Sequence, residues 1–364
     1  MITLAMAVEG FTLTILAHGA DNPNDAPVPY AVGVTNDEQP TLPSGTQWHI
    51  RASGYEATIV EVGGGLRTLR HDGEDIVHGY AEDTMADAAR GHVLAPWPNR
   101  IAGGRYAFDG DTYLLPLTEP EHANAAHGLV RWQPWQLVEH ATHRVTVGVT
   151  LHPQPGWAWT VRFEMTYVLG PDGLTITPRA TNLSNTPCPF GFGMHPYLTA
   201  GESSLDDVTL TAPLDEALTV DERLIPVGRG PASIDFTESA SLRGVTLDTC
   251  FTGIGARPGS GMPSRPADAA PRADGAASSS NDAARWEVSV STSSRVTTLW
   301  ADAREFGYVQ LFTGDGLPEP KNRRSGLAVE PMTCPANAFN TGEGLMVLHP
   351  GRTWTASFGI SSRH

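Results

Sequence analysis

Hydrophobic and polar residues alternate with a period of two over much of the chain, the pattern of strands with one covered face. Val145, Val147, Val149 and Leu151 are separated by Thr, Gly and Thr, and Trp159, Val161, Phe163, Met165 and Tyr167 carry the same rhythm toward Leu169. A Pro171-Asp172-Gly173 turn then leads into a further alternating segment from Leu174 to Thr177. Shorter candidates lie at 105–108, ahead of the Asp109-Gly110 turn, and at 112–115, 286–290, 295–300, 308–313 and 354–360. No apolar stripe at helical spacing runs longer than about three turns. Short strands punctuated by 38 Gly and 29 Pro predict an all-β chain folded as a sandwich or barrel.

Two stretches break the pattern. Residues 21–46 are rich in Asn, Asp, Pro and Gly, and residues 256–285 are almost wholly Pro, Ala, Ser, Gly and Asp. Neither holds enough apolar surface to offset its ordering entropy. We therefore expect a flexible leader over 1–46 and one domain over 47–364, interrupted by a flexible insertion at about 256–285. The first twenty residues lack the positive start of a signal peptide, and Glu9-Gly10 splits their apolar run.

Composition narrows the function classes. With 40% hydrophobic and 18% charged residues, the 364-residue chain can bury a sizeable core. The formal charge of −16, with 24 Lys and Arg against 40 Asp and Glu, repels nucleic acid. No uninterrupted apolar run is long enough for a spanning helix. Three widely spaced cysteines (Cys188, Cys250, Cys334) form neither a disulfide framework nor a CxxC pair, which fits a reducing cytoplasm.

Phosphate-loop and G-x-S-x-G motifs are absent, and Gly253, Gly255 and Gly259 miss the dinucleotide spacing by one position. Four segments set polar residues among apolar, Gly- or Pro-bounded neighbours: 94–105 with Asn99 and Arg100, 124–130 with His127, 190–197 with His195, and 326–332 with Glu330. Each has a plain structural reading: a Pro-kinked loop with solvated arginines, a turn histidine, a buried histidine, a strand-end carboxylate. Against that, a carboxylate in an apolar run is costly to bury unless paired or used, and the apolar run around His195 would shift its titration. His195 and Glu330 each precede a proline, which biases them to an extended backbone.

Taken in order, six motifs resemble the aldose 1-epimerase (galactose mutarotase) family: PNRIAGGRY at 98–106, HGLVRW at 127–132, GMHPYL at 193–198, LDTCFT at 247–252, VQLFTG at 309–314 and VEPMTCPANAFN at 329–340. The resemblance runs from about residue 48 to the C-terminus and implies a large antiparallel β-sandwich with a sugar cleft. It implies His195 as general acid, Glu330 as general base and His127 as a second active-site histidine. It implies Asn99, Arg100, Tyr197, Asp248 and Gln310 as hydroxyl-binding residues, with a monosaccharide as substrate and neither metal nor organic cofactor. Trp97 or Trp132 would be placed to stack on a sugar face. A hexose 6-phosphate epimerase, using Arg100, Arg105 or Arg131 as phosphate donors, and a non-catalytic sugar-binding sandwich remain alternatives.

Overall fold

The structure is a computed structural model describing residues 2–8, 11–17, 33–36, 41–201, 204–253 and 285–364. It divides into two units, Met1–Pro43 and Ser44–His364. The first, expected as a leader, contains a three-stranded antiparallel sheet of Ile2–Val8, Phe11–Ala17 and Gly33–Asn36. Most of the expected insertion, up to residue 284, lies outside the described residues, as do 18–32 and 37–40 of the leader.

The second unit is an antiparallel β-sandwich. One sheet of ten strands follows the spatial order Gln136–Ala141, Arg144–Leu151, Val161–Gly170, Gly173–Asn182, Phe358–Arg363, Val296–Asp302, Arg285–Ser291, Thr209–Thr211 and Ala240–Ser241, with Thr353–Thr355 also paired to Gly173–Asn182. The alternation seen in sequence becomes burial here: in Val161–Gly170 every second residue is buried. The 354–360 candidate proves to be two strands, Thr353–Thr355 and Phe358–Arg363.

The second sheet, of eight strands, carries the site. Its order is Pro226–Pro231, Glu216–Val220, Asp248–Thr252, Tyr308–Phe312, Leu327–Met332, Gly193–Met194 and Val93–Leu94, and Tyr197–Leu198 also pairs with Leu327–Met332. Phe251, Val309, Leu311, Leu327 and Val329 join the same core as Val147, Phe163, Leu299 and Phe358 from the larger sheet. The intervening residues of these strands therefore point to the opposite face. Every position of Leu327–Met332 is buried, so both of its faces are covered, as expected of a strand in the middle of a layered sheet.

Candidate active site

The register of this sheet brings the candidate residues together. Gly193 faces Met332 and Tyr197 faces Ala328, with His195-Pro196 interrupting the pairing between them. The register on both sides of that break sets His195 across from Glu330. On the other side of the strand Glu330 pairs with Gln310, and Gln310 with Cys250. Beyond His195, the Gly193↔Leu94 and Met194↔Val93 pairs lead to His92, whose carbonyl accepts from the His195 N–H at 3.1 Å. Directly opposed residues share a face, so His92, His195, Glu330, Gln310 and Cys250 form one row across the sheet, with Asp248 two positions along from Cys250.

His195 Nε2 stands 3.2 Å from Glu330 Oε1, with both side chains almost fully buried. His195 Nδ1 and Glu330 Oε2 have no hydrogen-bond partner among the described residues. Burial disfavours both charges. It drives the imidazole down to about 3. Burial, reinforced by the Asp248 charge and partly opposed by Arg100, holds the Glu330 carboxyl well above the usual carboxylate range. Burial thus favours the form of the pair in which one shared proton rests on the carboxyl. The carboxylate–imidazolium form is the same composition with that proton moved across the 3.2 Å contact.

A chain of amides and charges leads from this pair to the surface. Gln310 Nε2 donates to Asp248 Oδ1 at 2.6 Å, Asn99 Nδ2 donates to Gln310 Oε1 at 3.2 Å, and Arg100 Nη1 donates to Asn99 Oδ1 at 3.2 Å. Asn99 and Gln310 are buried, whereas Asp248 is exposed and Arg100 partly so. Arg100 is gripped by Glu119, Nε to Oε2 at 2.8 Å and Nη2 to Oε1 at 2.9 Å. Glu119 was not singled out in the sequence, since the adjacent Glu-Pro dipeptide recurs in polar settings and carries no signal.

His127 reaches the pair from a separate hairpin. Arg100–Ala102 pairs with Asn124–Ala126 so that Asn99 and His127 flank it, and the His127 N–H donates to Asn99 O at 2.8 Å. Both residues adopt left-handed backbone, φ 55° and 62°, which Asn and His tolerate better than most. Gly128 follows at φ 72°, and a Cβ there would lie 2.1 Å from Ala95 O. The His127 ring meets His195 edge-on, centroids 5.6 Å apart, and burial followed by the His195 charge holds it well below the usual imidazole value.

Two of the aromatic candidates are buried. Tyr197 is buried, its ring stacks on His195 at 5.0 Å and its hydroxyl donates to Ala88 O at 3.2 Å, so it braces the histidine and keeps its oxygen as an acceptor. Trp97 is also buried, with Nε1 donating to Ala125 O at 3.3 Å and its ring against Phe339, which leaves no face for a sugar. Trp132 is 52% exposed. His92, which no motif marked, is fully buried, and neither ring nitrogen has a hydrogen-bond partner among the described residues. Burial and then the Arg131 charge lower it to about 3.

Comparison with known proteins agrees with this architecture. The family model described as Aldose 1-epimerase matches residues 46–361. The chain is 32% identical over 321 residues to the Escherichia coli protein named "Uncharacterized protein YihR", covering 87% of this chain and 93% of that one. It is 30% identical over 219 residues to the galactose mutarotase of Rattus norvegicus, covering 54% and 62%. Among solved structures, a GalM/aldose epimerase homologue from C. elegans superposes with TM-score 0.71 at 18% identity over 88% of this chain and 99% of that one. A putative aldose 1-epimerase from Escherichia coli gives 0.69 at 18% identity over 87% and 99%; at such identities the likeness is one of fold.

Proposed function

The chain belongs to the aldose 1-epimerase family, and on that premise we propose that it interconverts the α and β anomers of an aldose, with His195 and Glu330 as the proton-transfer pair. The observation carrying this reading is the 3.2 Å approach of two titratable side chains, over a hundred residues apart in sequence, in a buried row that opens outward through Arg100 and Asp248. Binding alone has no use for such a pair, because it needs hydrogen bonds and not a mobile proton.

In the reactive form Glu330 is the carboxylate and His195 the imidazolium. Glu330 takes the proton of the anomeric hydroxyl as the C1–O5 bond breaks. The bonding electrons go to O5, which takes the His195 proton, and an aldehyde remains at C1. Rotation about C1–C2 offers the other carbonyl face, and the same steps reversed close the ring and restore both side chains. Atoms and charge balance with these two groups alone. The Arg100 charge favours the Glu330 carboxylate, and Tyr197 behind the imidazole fixes its plane. Asp248, Gln310 and Asn99 present alternating acceptors and donors suited to sugar hydroxyls.

Each positioned acid or base typically contributes about 10² to 10⁴-fold, enough for a reaction that already proceeds in water. The test is polarimetry on freshly dissolved α-anomers of a panel of aldoses. The expected result is decay of optical rotation faster than the spontaneous rate, in proportion to protein. No acceleration of any aldose would reject the proposal.

A further inference from the structure

We infer that the buried Arg90–Asp87 ion pair belongs to the proton-transfer machinery, with Arg90 acting through the Tyr197 ring as a positioning residue that limits the positive charge His195 can carry. This rests on the anomer-interconversion reading above. Segment 88–92 wraps His195-Pro196-Tyr197. The His195 N–H donates to His92 O at 3.1 Å, the Gly91 N–H donates to His195 O at 2.9 Å, and the Tyr197 hydroxyl donates to Ala88 O at 3.2 Å. Residues 91 and 92 thus face a single residue, as in a β-bulge, with Gly91 at φ 69°. Such an irregularity re-aims a neighbouring side chain.

Here that side chain is Arg90. Its guanidinium lies over the Tyr197 ring, Cζ 5.1 Å from the centroid. The same ring stacks on the His195 imidazole, centroids 5.0 Å apart and planes 18° apart. Arg90, Tyr197, His195 and Glu330 therefore form one continuous line of contacts that ends at the proton-transfer pair.

Packing alone does not call for an arginine at this place. Its side chain is 2% exposed, and Nε has no hydrogen-bond partner among the described residues. Nη1 donates to Gly79 O at 3.1 Å, and Nη2 stands 3.0 Å from Asp87 Oδ1. Burying a guanidinium is costly, and an apolar side chain would fill the space over Tyr197 without that cost. Asp87 is itself held, its Oδ2 accepting from Asn322 Nδ2 at 2.8 Å, but it is one-third exposed, so solvent weakens its offset of the cation. A cation one aromatic ring away disfavours imidazolium, the sense in which burial already acts, and makes His195 a readier proton donor to O5. The other titratable groups against His195 are Glu330 and His92 on either side, His127 from its hairpin, and the more distant Arg131 charge. His78 and Tyr80 face Arg90.

The experiment follows kcat/KM against pH on the full chain, together with an NMR titration of the His195 ring, assigned through His195→Gln. Arg90→Met is expected to move both limbs and the ring titration upward by about one pH unit, the effect of a unit charge two stacked contacts away in a protein interior. Asp87→Asn unmasks the arginine and moves them downward. Combining Arg90→Met with Asp87→Asn brings them back toward the unsubstituted protein, and Arg90→Lys, which keeps the charge, stays closer to it than Arg90→Met. A residue that merely packs gives no such opposition of sign. Shifts of the same sign in both single variants, or none, overturn the inference while the epimerase reading stands. If Arg90→Met does not fold, Asp87→Asn decides alone: a downward shift supports the inference, and any other result overturns it. Failure to accelerate any aldose overturns the epimerase reading itself, whereas the ring titration needs no substrate and still decides whether Arg90 governs His195.

Discussion

Replacing Glu330 with Gln tests where the shared proton rests. The amide has the shape of the carboxylic acid and can donate to His195 Nε2 across the same 3.2 Å, so the hydrogen bond survives and only the proton exchange is lost. Folded Glu330 titrates above its ordinary value of 4.5, first through burial and then through Asp248. A raised carboxyl costs stability progressively as pH rises from the unfolded value toward the folded one, because the unfolded chain ionises while the folded one does not. At pH 7 this penalty has a ceiling of about 2.5 pH units, or about 3 kcal/mol at ~1.4 kcal/mol per unit. Glu330→Gln is therefore expected to stabilise the protein by up to about 3 kcal/mol at pH 7, with the gain fading toward pH 4.5. The same variant should lose about 10² to 10⁴-fold in rate. Thermal melts across pH 4.5 to 8, with polarimetry on the same preparation, measure both. The contrary result is a sharp destabilisation at pH 7, on the order of the 3–5 kcal/mol typical of breaking a buried ion pair. It would show that the free protein holds carboxylate and imidazolium, and it would refute the neutral resting pair.

Three further outcomes are expected. The singly protonated pair is the active form; it gains a second proton only below the depressed His195 value of about 3 and loses its last above the raised Glu330 value, so the kcat/KM profile should plateau on both sides of the 4.5 to 6.5 window of unperturbed groups. Limbs falling at those two ordinary values would count against the burial argument. Glu119→Gln removes the grip on Arg100 and is expected to raise KM roughly tenfold with a smaller change in kcat, since hydrogen bonds to charged groups are worth about 1.5–3 kcal/mol; steady-state kinetics decide it. Gly128→Ala forces a Cβ to within 2.1 Å of Ala95 O at φ 72°, and is expected to cost at least roughly 2 kcal/mol in denaturant melts and to displace His127.

Period-two alternation gave the strand character of 145–151 and 161–169 because each residue's exposure there depends on its own strand. The catalytic candidates were legible differently. His195-Pro196 and Glu330-Pro331 stand out as polar residues in apolar runs, and their motif order suggests a family. Glu119 could not be read this way, since its importance lies in the geometry of Arg100, nineteen residues earlier in the chain. His92 carries no local mark either; only the sheet order sets it beside His195. The burial of Tyr197 and Trp97 could not be read this way either, because a motif names a residue without saying which way its polar atom turns.

The sequence by itself determined the all-β class, the acidic charge, the family motifs and the residue types that can exchange a proton. Tertiary structure alone decided that 92, 195, 330, 310 and 250 fall in one row, that Glu119 neutralises Arg100, and that the central pair is buried. The physical reason is that strand periodicity is a local property fixed by backbone geometry, whereas register, burial and charge compensation arise only when strands distant in the chain are laid side by side.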